Sequence, residues 1–150
     1  GEDEAAYARI LALADPAKER REYPEVPFAV VGAVATGLMG VGPDARTRTV
    51  ETRSALTAAT PWAALKGLPV FDAMVDIRHD GRTRTSFTVR AGGPVVWKAV
   101  FDGSLDILEV DGAARTASHG PDEAGRPVSW VTVEVAAGRS VIVAVPAARQ

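Results

Sequence analysis

Between Glu25 and Asp44 the chain carries no charged residue, and the run Phe28-Ala-Val-Val-Gly-Ala-Val-Ala-Thr-Gly-Leu-Met39 fills most of that interval. A stretch this apolar must be hidden from water, either in a bilayer or in protein. It sits near the lower limit of the roughly 17–25 residues a membrane helix needs. Pro27 and Pro43 stand at its ends, and Gly32, Gly37, Gly40 and Gly42 interrupt it. The small residues Gly32, Ala33, Thr36 and Gly37 let another backbone approach closely, as in a helix packed within protein. A buried protein helix is therefore expected and a membrane span is not.

Upstream, Ala5, Ala6, Ala8, Ile10, Leu11, Leu13 and Ala14 are good helix formers, and Asp3 is the expected cap. Asp15-Pro16 ends that helix, because proline disfavours helical geometry in the residue before it. The charged stretch Lys18-Glu19-Arg20-Arg21-Glu22 reads as a solvated turn or a frayed helical piece. From Arg46 onward the apolar period changes to two. Strands are predicted over Thr47–Arg53, Val70–Arg78, Arg82–Ala91, Val95–Phe101, Leu105–Val110, Val128–Ala136 and Ser140–Val145. Asp80-Gly81, Gly92-Gly93-Pro94, Asp102-Gly103 and Asp111-Gly112 supply the turns between them. The expected fold is a segregated α+β chain, with an N-terminal helical hairpin over 1–45 followed by an antiparallel β-sandwich over 46–150. Ser118–Pro127 is expected to be the longest exposed loop.

One hairpin can be assigned a register. A two-residue Asp80-Gly81 turn would set Ile77 against Arg84 and mix apolar with charged faces. A three-residue loop His79-Asp80-Gly81, with Gly81 left-handed, pairs Ile77 with Thr83 and Phe71 with Val89. It also places Asp76 opposite Arg84 and makes His79 a turn residue.

Composition narrows the chemistry. A formal charge of -2 gives no general pull toward nucleic acid or anionic lipid, and the absence of cysteine excludes disulfides and thiolate metal sites. His79 and His119 are too few for most histidine-built centres, so neither a metal nor another cofactor is expected. Asp72 and Asp76 share a strand face about 13 Å apart, too far for a glycosidase pair. Ser118, His119 and Asp122 have the residue types of a triad without a nucleophile elbow. His119, Asp122 and Glu123 match no metal spacing. The glycines of Gly37–Gly42 end a helix and do not open one, which argues against a phosphate cradle. Glu22 and Glu25 flank Tyr23-Pro24 at the mouth of the second helix and are the better candidates for polar ligand contact, although a carboxylate answering the helix dipole explains them as well. Trp97 falls in a core stripe with Val95, Ala99 and Phe101. Trp130 falls on the outer face of its strand, where it can stack on a sugar or pack against a neighbour. Trp62, in a linker-like stretch, suits a seam between domains.

Three runs together resemble a known junction: Gly37-Leu-Met-Gly40-Val-Gly-Pro43-Asp-Ala, Arg48-Thr-Val50-Glu-Thr-Arg53 and Thr60-Pro-Trp-Ala-Ala-Leu-Lys-Gly-Leu-Pro-Val70. They are similar to the step in six-hairpin glycosidases, alpha-L-rhamnosidase-like enzymes among them, where the last helix of an (α/α)6 barrel passes into a C-terminal β-sandwich. The segments Val75-Asp-Ile-Arg-His-Asp-Gly81 and Leu108-Glu-Val-Asp-Gly112 resemble that sandwich too. The resemblance spans roughly Tyr23 to Val145. It implies an accessory or interface module of a carbohydrate-active enzyme, with the family's catalytic carboxylates earlier in a barrel this sequence lacks. No catalytic residue carries over. Glu22, Tyr23 and Glu25 would border a sugar pocket, with Trp130 as a further contact. A barrel-containing chain or a second copy would cover Phe28–Met39, and carbohydrate is the ligand implied. A carbohydrate-binding module and a small hydrolase centred on Glu22 and Glu25 are the rival readings. The acidic opening Glu2-Asp3-Glu4 is unlike a signal peptide, which favours a cytoplasmic protein.

Overall fold

A computed structural model describes residues 2–18 and 25–147. Two helices come first, α1 (Glu2–Ala14) and α2 (Glu25–Gly32), and α2 runs on into a π-helical turn over Ala33–Leu38. Two sheets follow, giving the segregated α+β order expected from the change of period. The π turn has a visible cause in its hydrogen bonds. Met39 N–H donates to Val34 O at 2.9 Å, and Val41 N–H reaches back to Ala35 O at 3.0 Å. The Thr36 hydroxyl bonds Gly32 O at 2.8 Å, as short polar side chains in helices do.

The first sheet holds five strands in the order β1 (Gly42–Asp44), β2 (Thr49–Arg53), β6 (Val95–Asp102), β10 (Pro127–Val135) and β9 (Ser118–Pro121). The second holds six, in the order β3 (Trp62–Val70), β4 (Ala73–Asp80), β5 (Arg84–Ala91), β11 (Ser140–Ala144), β7 (Ile107–Val110) and β8 (Ala113–Thr116). The second sheet is antiparallel throughout. The first is mixed, because β2 runs parallel to β6 with Val50 beside Trp97. The chain leaves that sheet after β2, builds β3, β4 and β5 in the other layer, and returns at β6.

The core lies between the sheets. Alternation along β4 buries Ala73, Val75, Ile77 and His79, and along β6 it buries Val95, Trp97, Ala99 and Phe101. Trp97 of one sheet stacks on Phe87 of the other, with ring centroids 5.2 Å apart and planes 14° from parallel. The indole N–H does not go to waste in this apolar layer, since it donates to Thr52 Oγ1 at 2.9 Å.

Four sequence expectations need correction. The sequence around Trp62 suggests a linker-like stretch, but the chain forms β3 there. It is a nine-residue edge strand whose period is broken by a bulge between Leu65 and Leu68. Ser118–Pro127 is not a long loop, because β9 and β10 pair across a tight turn closed by Asp122. The β4–β5 hairpin has Ile77 facing Phe87, not Thr83, and Asp76 facing Thr88, not Arg84. This slides the pairing by four residues, an even number, so every side chain keeps its assigned face. Asp80 and Arg84 become the last pair, and Gly81 is left-handed (φ 59°) in the loop as expected. His79 accordingly stands inside the strand and not in the turn. Finally, Asp3 is not the cap of α1; it lies in the helix's first turn and pairs with Arg82.

The described residues leave much of the long apolar run uncovered, where a buried helix is expected from the sequence. Phe28 is 75% exposed and Val31 66%, and no residue of α1 or of the π turn is buried. Val34 packs half-buried against the core, and the segment enters it fully at its end, through Met39 at 0% exposure and Val41 at 7%.

Candidate functional site

Two surfaces concentrate unusual features, and the first is the helical pair. Tyr7 and Ile10 of α1, half-buried, face Ala33, Gly37 and Leu38 across a shallow apolar groove of about 420 Å³. Leu11, Leu13, Phe28 and Val31 are exposed, and Leu13 borders the same groove. Beside Gly32 and Gly37 a methyl group would meet nothing within 4 Å. This smooth greasy face has no covering element among the described residues.

The second surface is a polar cleft of about 710 Å³ where α1, the end of the π turn and the loops at one end of the sandwich meet. Arg53 at the end of β2 is its hub. Its Nε and Nη2 donate to Asp102 Oδ1 at 2.9 and 2.6 Å, and its Nη1 donates to Asp122 Oδ2 at 2.8 Å. Arg82 from the β4–β5 loop bonds Asp102 at 3.2 Å, Leu56 O at 2.7 Å and the Asp3 carboxylate of α1. Arg126 adds a bond to Asp122 at 2.9 Å. Arg53, with the backbone N–H of Arg126, holds the Asp122 carboxyl far below the usual carboxylate range. Each arginine here is spent on an aspartate, so the cluster neutralises itself. Its geometry ties α1 and three loops to one strand end, which is a clasp and not a constellation for acid–base work.

The residues singled out from sequence are dispersed. Glu25 is exposed in the first turn of α2, and Glu22 and Tyr23 lie outside the described residues. Trp130 stands on the outer face of β10, half-buried. The Lys98 ammonium sits 4.7 Å over its ring, and its benzo edge approaches Gly120 of β9. Lys98 also pairs with Glu51 at 2.8 Å. Trp62 is 54% exposed under the Arg78 guanidinium, and Trp97 is in the core as expected. Asp72 is paired with Arg48 and Asp76 with Arg90, and both carboxyls are lowered, Asp72 chiefly by Arg48 and Asp76 by the Gly67 N–H and Arg90 against an opposing burial effect. Ser118 and His119 are exposed on β9 while Asp122 is committed to Arg53 and Arg126, so the triad types do not assemble. Among the described residues no group of three His, Asp or Glu could hold a metal ion. No described helix is long and apolar enough to cross a membrane.

Sequence reasoning missed both the arginine–aspartate clasp and the place of His79. The clasp joins residues from Asp3 to Arg126, and no local spacing announces such a group. No protein-family model matches the chain, and no curated protein matches it.

Proposed function

We propose that this chain is an interface module: a complete β-sandwich bearing a helical docking surface, without catalytic activity of its own. The observation that carries the reading is Phe28 at 75% exposure and Val31 at 66% on a helix that the sandwich does not cover. Apolar helical faces of this kind mark interaction surfaces in folded proteins. The occupant is a helical barrel of a carbohydrate-active enzyme. That choice rests on the resemblance of the Gly37–Ala45 step and the strands after it to the junction in six-hairpin glycosidases. Exposed helix followed by self-contained sandwich is the order such a junction requires.

Light scattering at low micromolar concentration tests the surface. The wild-type chain is expected above its 15.7 kDa mass, through self-association in the absence of the barrel. Phe28→Asp is expected to return it to monomer, and a monodisperse wild-type monomer sinks the reading. The carbohydrate-binding alternative depends on Trp130, whose ring already has Lys98 over one face. Titrating tryptophan fluorescence with oligosaccharides separates the two, because a packing module gives no saturable shift.

A further inference from the structure

His79 is the one histidine in the core, at 0% exposure, and it sits where the helical segment meets the sandwich. Its Nε2 lies 3.0 Å from Met39 O, a carbonyl that can only accept, so Nε2 carries the proton. Nδ1 is 2.8 Å from Thr85 Oγ1 on the neighbouring strand and accepts from that hydroxyl. The ring in this tautomer is neutral and satisfied on both sides. One nitrogen holds the helical segment and the other holds β5.

We propose that His79 is a pH-sensitive latch whose protonation loosens the helical segment from the sandwich at Met39. A cation in this position would be enclosed by apolar neighbours and by hydroxyl and carbonyl dipoles alone. From β3 it faces Ala63, from β5 Thr85, and from the helical segment Met39, none of them charged. The one charge that acts on it is Asp80, the next residue along β4, whose carboxylate is taken by Arg78 at 2.6 Å and which is paired across the hairpin with Arg84. The strain of an enclosed imidazolium is relieved by wetting the ring, and the layer that gives way is the one held least. Opening β4 from β3 or β5 breaks ladder hydrogen bonds and the sheet core. Lifting Met39 breaks the bond to His79 and the Ala55 N–H to Leu38 O bond of 3.0 Å and uncovers the Met39 side chain, on a segment whose other hold on the core before Val41 is the half-buried Val34.

The sign follows from burial. Desolvation lowers the ring's affinity for a proton in the closed state below its ordinary value of 6.5, against a smaller opposing pull from the Met39 carbonyl. The closed state thus binds fewer protons than the open one. Its advantage is complete above pH 6.5 and shrinks as pH falls toward the closed-state value. The latch operates in the isolated chain and does not depend on which partner covers the helices.

Hydrogen exchange read by NMR at several pH values tests it, after correction for intrinsic rates. Opening at the Ala55 amide, which bonds Leu38 O across the joint, is expected to rise by up to about tenfold per pH unit below the ordinary histidine range, the slope of one proton taken up. Amides of the β6–β10 ladder should not follow. His79→Gln keeps a donor and an acceptor without the titration, and its exchange at the Ala55 amide is expected to stay flat. A flat wild-type profile, an equal slope in the glutamine variant, or ladder amides opening in step would overturn the latch. Should the variant fail to fold, the ring nitrogens of the wild type decide: a ring charged at pH 5 with the joint still protected contradicts it.

Discussion

At the scale of single residues the sandwich is held by side chains whose alternatives are excluded on identifiable grounds. Gly40, where the helical segment turns into the first sheet, has φ 57°, and a Cβ there would lie 2.1 Å from Arg53 O. Gly138 has φ 77° with open space around it. Alanine at either position incurs the left-handed penalty of roughly 1–2 kcal/mol. Gly40→Ala must in addition push the helical segment off β2. Urea denaturation is expected to show Gly138→Ala losing only that penalty and Gly40→Ala losing clearly more. Equal losses would mean that the close approach at Arg53 is relieved without cost. Thr52→Val tests the indole in the core. With its acceptor gone the buried Trp97 N–H is unsatisfied, for an expected loss of about 1–3 kcal/mol by the same measurement.

Much of this was legible because parity is robust. The reading that put Ile77, Val75, Phe87 and Val89 on one face survived a hairpin register wrong by four residues, since an even slip preserves faces. His79 shares that parity with Ile77, and its inward position was available from the same alternation. The choice of a three-residue His79-Asp80-Gly81 loop overrode it.

Elements were legible where their period was regular. β4, β5, β6, β10 and β11 alternate over most of their length and were found within a few residues. β3 was not, because the bulge at Lys66-Gly67 shifts the phase in mid-strand and Pro69 argues against a strand. β8 and β9 are short and fully or largely exposed, so no apolar alternation marks them. The parallel β2–β6 pairing is a fact of tertiary arrangement that no strand pattern carries.

The way α1 is attached gives a prediction at this scale. The helix buries no residue; it meets the sandwich through the Asp3–Arg82 ion pair, while the half-buried Tyr7 and Ile10 face the π turn. Arg82→Gln is expected to release α1, seen as loss of amide protection over that helix, while the melting of the sandwich changes little. Comparable destabilisation of both would show that Arg82 supports the sheets themselves through Asp102.

Acid sensitivity of the clasp belongs to the same scale. Asp122 is held below the ordinary carboxylate range by Arg53 first, so its contribution is complete above about pH 4. It is lost as pH falls further, through the value in the folded state. Arg53→Met is expected to weaken the dependence of stability on pH in that range and to leave the histidine range untouched. Denaturation midpoints measured from pH 6 down to pH 2 check this.

For the whole molecule the account turns on imbalance. The sandwich fills its core with Trp97, Phe87 and a layer of valines, and takes in Met39 and Val41 from the end of the helical segment. The second helix has the apolar composition of an interior segment, yet Phe28 and Val31 have the exposure of surface residues. The sequence showed the first of these properties plainly. The second required knowing that two sheets pair with each other and leave the helices outside. Radical footprinting of the side chains, on protein dissociated by dilution and on its assembled form, tests the claim most directly. Phe28 and Val31 are expected to be labelled heavily in the first and protected in the second, with Trp97 silent in both. Phe28 and Val31 already protected in the dissociated chain, or equally reactive in both states, would contradict a docking role for the helical face.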